Sequence, residues 1–386
     1  MIHYNFHAKV IITCTVLVAT LFCFFQPAEA TISRVGSLGG GGDFFEDDSN
    51  VLRWYGSLTD YPNEAVLESG NFTLEKGYWH SATERNSGPG FGTHFSLGQN
   101  GRFGTAAFFY HGQDEDRTTA LQKDHLRNNL SFLYAQDFGS VSAAITYRHG
   151  SLTTDEHDST RELSIDTFGT GVRLDLSPSA YLDVAGEIRR VHEVRNWDPD
   201  FQENDDDGLY ALRARAFTAL SPRLALVPLA EYIHEDRQSD GFPVARTVNY
   251  RLKRAGLGLN FYPDTDHLLL LSAEYSNHQD TEDWSVFILQ GGFEARMFSW
   301  LTTRGSIGWV NYQLDTEINP GAIADDDNDP EEPLLRVNLG ASIHLGPADL
   351  DIAFWEKAPM VTAIAGNPTI NDPGFRWVSI TARYLF

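Results

Sequence analysis

Cysteine is nearly absent from this 386-residue chain, and its two copies, Cys14 and Cys23, both fall within the first 30 residues. From residue 31 onward no thiol is present, which excludes a disulfide scaffold and a thiolate metal centre there. Basic charge is scarce as well. Against 53 Asp and Glu stand 29 Lys and Arg, a net charge of −24. With no Lys/Arg cluster, a nucleic-acid partner is excluded, because phosphate binding draws its affinity from clustered cations. Beyond residue 31 no apolar run approaches the roughly 20 residues of a spanning helix. Gly, Pro, Asp and Asn also recur too often for long helices.

Catalytic signatures are missing too. The histidines fall in no HExxH spacing, and no G-x-S-x-G elbow occurs. His94, His234 and His344 lie in strand-like stretches and read as lumen or rim residues rather than metal ligands. The run Gly39 to Gly42 is followed by Asp43 and Phe44, not by the Lys-Ser/Thr of a phosphate loop. ENDDDG at 203–208 spaces its carboxylates like a calcium loop, but the twelfth position of that frame is Ala214 where Glu is needed. DDDNDPEE at 325–332 lacks the internal Gly. These acids read as solvated loops, with divalent cations bridging them to lipopolysaccharide as the alternative. No catalytic, cofactor or metal residue is assigned, and the chain is not expected to be an enzyme.

What is present begins at the N-terminus. Lys9 leads into VIITCTVLVATLFCFF, and QPAEA follows with Pro27, Ala28 and Ala30. This is the layout of a secretory signal peptide (residues 1–30) cut after Ala30. A lipoprotein reading at Cys23 is opposed by Phe22, which stands where a small residue is required.

The rest alternates with a period of two. In LSFLYAQDFGSVSAAITYRHG, Leu130, Phe132 and Tyr134 share one face, Asp137 to Gly139 turn the chain, and Val141, Ala143, Ile145 and Tyr147 form the return face. Sixteen such strands are expected, near 65–78, 90–98, 103–112, 125–136, 140–150, 162–176, 180–193, 208–220, 223–235, 246–262, 266–277, 284–297, 300–314, 334–345, 348–357 and 375–386. Their connections alternate. QNGR, DFG, SPS, SP, YPDT, FS and GP are tight turns, whereas the intervening stretches, such as RNWDPDFQENDDDG, are longer and acidic.

Short turns on one side and long loops on the other are the pattern of an up-and-down antiparallel β-barrel crossing an outer membrane. An all-β transmembrane barrel of about sixteen strands (65–386) is therefore expected, in the outer membrane of a Gram-negative bacterium. An even strand number puts both ends on the periplasmic side. Trp284, Trp300, Tyr262 and Trp377 suit the aromatic girdles. Outer-membrane lipid, lipopolysaccharide and the barrel-assembly machinery are the expected partners, together with small solutes.

The chain ends on WVSITARYLF, with Val378, Ile380, Ala382, Tyr384 and Phe386 on one face. This ending resembles the recognition signal of bacterial outer-membrane barrels, and the resemblance assigns Phe386, Tyr384 and Ile380 to it. Residues 31–64 are not strand-like. There Arg34, the Gly39 to Gly42 run, Phe44, the Asp47-Asp48 pair, Asn50 and Leu58 resemble the start of FadL-like barrels. That family opens with a Gly-rich stretch, an acidic pair and an Asn-Pro-Ala motif; here Trp54 to Ser57 stand where Asn-Pro-Ala is expected. The resemblance implies an N-terminal plug segment and fourteen strands, the alternative to sixteen.

Arg127, Arg148, Arg173, Arg189, Arg213, Arg215, Arg251, Arg296, Arg304, Arg336 and Arg383 sit in the strands, mostly opposite the apolar face. The strand acids are Asp183, Glu187, Glu231, Glu274, Glu294, Asp349 and Asp351. Two readings follow: an aqueous lumen lined by Arg127, Arg148, Arg189, Arg213, Arg215, Arg251, Arg304 and Arg336 with Glu187, Glu231 and Glu274, or an interior filled by pairing of the arginines with those three acids. Sixteen strands leave an aqueous interior unless something fills it. Porin-like passage of small polar solutes, anions by preference, is the leading expectation. A FadL-like transporter of hydrophobic molecules and a non-transporting surface barrel are the alternatives.

Overall fold

A computed structural model describes residues 32–39, 42–69, 90–98, 101–116, 124–156, 159–197, 200–239, 246–279, 284–314, 334–356 and 376–386. The signal-peptide reading at 1–30 and the loop at 325–332 lie outside these residues. Sixteen strands form one closed antiparallel barrel in which each pairs with its chain neighbours and the last with the first. They are β1 (Glu64–Ser69), β2 (Gly90–Ser96), β3 (Thr105–Asp116), β4 (Asp124–Asp137), β5 (Val141–Glu156), β6 (Ser159–Ser177), β7 (Ala180–Trp197) and β8 (Asp200–Ser221). They continue as β9 (Leu224–Ser239), β10 (Arg246–Asp264), β11 (His267–Gln279), β12 (Trp284–Phe298), β13 (Leu301–Leu314), β14 (Leu334–Leu345), β15 (Ala348–Glu356) and β16 (Arg376–Leu385). The count is sixteen, not fourteen.

Closure leaves no strand edge, as hydrocarbon demands of any sheet that crosses it. Outward rows are apolar, with Phe132, Ile145, Ile188, Leu212, Leu257, Leu271 and Ile307 exposed. The short-turn end carries aromatics: Phe298 stacks on Trp300 with ring centres 5.7 Å apart, and Phe138 and Phe386 are exposed at the same end.

The structure departs from the expected strands mainly at their far ends. β8 begins at Asp200 and runs through Asp205 to Asp207, so ENDDDG is extended strand rather than a loop. β5 and β6 likewise pair as far as Glu156↔Ser159. Above the membrane both faces of a hairpin meet water, so consecutive acids carry no burial penalty and hide the period of two.

Residues 32–63 form no strand. A helix α1 (Ile32–Ser37) and three short 3-10 turns, Gly42–Phe44, Asp48–Leu52 and Tyr55–Asp60, lie within the barrel. The Asp47 side chain caps the second turn by accepting from the Ser49 amide at 2.9 Å. Together they reach much of the wall: α1 lies against β13 to β16, the first turn against β9 and β10, and the third against β3 to β7.

At the chain end Ile380, Tyr384 and Phe386 face outward, while Thr381 and Arg383 are buried inside. The Phe386 amide donates to the Asn63 carbonyl at 3.1 Å, which ties the last residue to the start of β1. Deleting Phe386 removes both this bond and the last outward aromatic. The expected result is a loss of heat-modifiable barrel from outer-membrane fractions on cold SDS gels, with aggregate in the periplasm; unchanged barrel would count against an assembly role.

Candidate functional site

The interior is built by the N-terminal segment meeting the inward faces of the strands. Inward glycines mark where it docks, since only a missing side chain lets another group approach a strand so closely. A Cβ on Gly258 would stand 2.8 Å from the Phe44 side chain, one on Gly256 2.6 Å from it, and one on Gly171 3.0 Å from Tyr55. Phe44, Trp54, Tyr55, Val51 and Leu58 are thereby fully buried, with Leu133, Ala185, Phe217 and Leu229 of the wall in the same cluster.

Charge fills the remainder. Asp43 is ion-paired with Arg53 at 2.7 Å and accepts from Arg254 at 2.8 Å, and the Trp54 indole N–H donates to it at 2.9 Å. Arg53 also reaches Glu231 at 2.7 Å, and Arg254 reaches Glu274 at 2.5 Å. Arg213 joins Glu231 to Glu187, at 3.2 and 2.6 Å, and Glu187 accepts further from Arg148 at 2.7 Å and from the Tyr55 hydroxyl. Beside this group Asp183 holds Arg173 and Arg215, at 2.7 and 2.9 Å. The Arg215 guanidinium lies between the Trp54 and Phe217 rings and donates to the Asp43 carbonyl. Across the barrel Glu294 joins Arg34 to Arg304, Asp351 accepts from Arg304, and Arg383 bridges Asp349 and Asp48.

Of the residues expected to line a lumen, Arg148, Arg213, Arg215, Arg304, Glu187, Glu231 and Glu274 are thus brought together as ion pairs. Arg189 follows Glu187 on the inward face of β7. The side chains of Arg127 and Arg336 lie outside the described residues. Arg251 is the correction. Tyr250, Leu252 and Arg254 are buried inside, so Arg251 points outward. Arg251 is expected inside as one of the arginines mostly opposite the apolar face, whereas near the loop end of β10 the apolar Tyr250 and Leu252 face inward. Arg254 was missed for the same reason, although its row continues as Gly256, Gly258 and Asn260, a small-residue signal of close approach. Arg34 is among the residues that resemble the start of FadL-like barrels, whereas Arg53 and Asp43 carry no signal beyond lying in a segment without strand periodicity.

His94 and His344 face inward, His94 beside the Tyr61 carbonyl at 2.9 Å and His344 on Asp349 at 2.8 Å. His234 faces outward, its ring 4.8 Å from that of Tyr210. Among the described residues no group of three or more His, Cys, Asp or Glu is placed to hold a metal ion.

Above this charged floor the inward face changes character. Toward the loops it presents Leu163 and Ile165 of β6, Leu209 and Ala211 of β8, Ile233 of β9, Tyr250 and Leu252 of β10, and Val286 and Val310 of β12 and β13, all buried, together with the buried polar groups Glu235, Ser276 and His278. A water-filled porin lumen is polar at such positions.

The electrostatics of the segment are uneven. Burial pushes Asp43 up, but Arg53, Arg254 and Arg215 outweigh it and hold the carboxyl below its ordinary range. Burial also raises Asp47 and Asp48, and neighbouring acids, Asp48 and Glu64 respectively, raise them further against the pull of Arg34 and Arg383.

No family model matches the sequence. No curated protein matches it. Solved structures do: CdiB from Escherichia coli at 12% identity and a TM-score of 0.50, covering 84% of this chain and 63% of that one. CdiB from Acinetobacter baumannii matches at 8% and 0.50, covering 84% and 60%. A Pseudomonas aeruginosa FadL homologue matches at 11% and 0.46, covering 94% and 99%. This chain therefore spans about three fifths of the CdiB chains, and the likeness is one of fold: an outer-membrane β-barrel.

Two outcomes follow from the network. Arg254→Met leaves Asp43, Glu231 and Glu274 short of a buried cation, so urea unfolding should show a loss of roughly 3–5 kcal/mol. Asp47 and Asp48 take up protons when the segment docks, because the undocked carboxyls titrate near 4. Between that value and their raised ones the docked state binds more protons, so stability should fall as pH rises through this window. Asp48→Asn should flatten that slope, as read by thermal unfolding across pH; a slope unchanged in the variant would refute the assignment.

Proposed function

We propose that this barrel admits apolar molecules from outside, receiving them in the apolar upper chamber above an N-terminal segment that closes the floor. The chain would act by binding and passage, without covalent chemistry, in the outer membrane after cleavage at Ala30. The observation that carries this reading is the inward apolar cluster of Leu209, Ala211, Ile233, Tyr250 and Leu252, sitting above the ion-paired floor. Apolar surface of this kind gains about 25 cal/mol for each Å² that an apolar solute covers. A small polar solute gains nothing there and loses its hydration. The resemblance of residues 34–58 to FadL-like barrels agrees with it. Porin-like passage is less well supported, since Arg148, Arg213, Arg215 and Arg304, expected to attract anions, are paired with carboxylates and the segment occupies the path beneath them.

The test has two arms. Refolded barrel should bind an apolar fluorophore such as 1-aminoanthracene, and Leu252→Asp with Ile233→Asp should weaken binding at least tenfold. In planar bilayers the unaltered barrel should show no steady open conductance. A stable, anion-selective current with no fluorophore binding would overturn the proposal and favour the porin.

A further inference from the structure

The outer face of the barrel carries a second feature. On β10 the outward row below Lys253 is Ala255, Leu257, Leu259 and Phe261, flanked across the register by Ala230, Pro228 and Leu226 on β9 and by Tyr275, Ala273 and Leu271 on β11. Above Ala255 the chemistry changes at one step. Lys253 stands between Tyr232 and Asn277, and Arg251 between His234 and Gln279. From Phe261 to Arg251 is ten residues, which at about 3.3 Å each and a tilt of roughly 40° lifts Arg251 about 25 Å above the short-turn boundary. That is the height of the apolar band, so the pair stands where hydrocarbon gives way to outer-leaflet headgroups.

Lys253 and Arg251 are two positions apart and share a face. Both are exposed, and among the described residues no carboxylate partners either of them. This separates them from the interior, where Arg148, Arg213, Arg215, Arg254 and Arg304 are each paired with acids. It also separates them from Arg190, the other outward arginine at this level, which lies directly across from Asp166. In a chain of net charge −24, two adjacent unmatched cations at the lipid boundary are an anion site. Guanidinium and ammonium groups donate charge-assisted hydrogen bonds to phosphate, and the neighbouring Tyr232, Asn277 and Gln279 add neutral donors.

We propose that Arg251 and Lys253 bind a phosphate of lipid A, the phosphorylated glycolipid anchor of lipopolysaccharide, with its acyl chains along Leu257, Leu259 and Phe261. The occupant is a lipid and not free phosphate, because the apolar row continues directly beneath the cations. The site rests on the membrane crossing alone and is independent of what the interior carries.

Native mass spectrometry of the barrel in detergent tests it, with lipid A, bis-dephosphorylated lipid A and inorganic phosphate as probes. The unaltered protein should retain lipid A, and R251Q/K253Q should need about a hundredfold more, some tenfold for each charge-assisted hydrogen bond removed. Dephosphorylated lipid A should bind the unaltered protein as weakly as lipid A binds that variant, an arm that needs no mutant to fold. R251K/K253R and R102Q, a short-turn control, should bind normally. Equal affinity for the two lipids, equal binding by R251Q/K253Q, or displacement of lipid A by millimolar inorganic phosphate would overturn the proposal.

Discussion

Asp43 between Arg53 and Arg254 is the contact on which the interior depends. A barrel of sixteen strands is too wide for its own wall side chains to fill, and a guanidinium inside it needs either water or an acid. Asp43 is fully buried and comes from outside the wall, yet two arginines converge on it, one from each side of the boundary between segment and barrel. Glu231 closes the ring by meeting Arg53, Arg213 and Arg254. Segment and wall are therefore complementary in charge. Neither would be satisfied alone, because an unpaired buried charge costs more than a matched pair gains.

This matching divides the interior by chemistry. Where the segment lies, the wall offers arginines, carboxylates and glycines. Where it does not, the wall offers leucine, isoleucine and valine, with Glu235, Ser276 and His278 among them. The lipid-facing side shows the complementary order, apolar through the band and cationic at its loop-side limit on β10. A single strand thus carries Leu252 and Arg254 inward and Arg251 and Lys253 outward within four consecutive positions. Each face follows its own surroundings, and the pleat keeps them separate.

That same stretch shows why the fold was easier to read than the site. The number of strands, the tight turns and the outward face of β16 follow from local periodicity and turn chemistry, both of which are written in consecutive residues. The inward acids Asp183, Glu187, Glu274, Glu294, Asp349 and Asp351 are legible because on their strands the polar row is the inner one, whereas Glu231 sits between the inward Leu229 and Ile233. On β10 this rule reverses near the loops, where the inward residues are Tyr250 and Leu252, and Arg251 faces outward instead. The partners from the segment were illegible for a different reason. Asp43 and Arg53 find Arg254 and Glu231 some 180 to 210 positions away, and nothing in the local pattern encodes that distance.

The segment immediately precedes β1, and β1 is also the strand that must meet β16 to close the cylinder. Among the described residues that seam has six residue pairs, from Glu64↔Leu385 to Ser69↔Ile380, whereas β5 and β6 share sixteen. It joins the most distant parts of the chain, so its pairing carries the largest loop-closure entropy in the molecule. The segment offsets part of that cost: α1 lies against β14, β15 and β16, and Ser33 bonds Thr381 at 2.7 Å, so residues just upstream of β1 hold the incoming last strands in place. The packing inside the barrel thereby doubles as a brace across the seam, binding the first and last strands to the same interior segment.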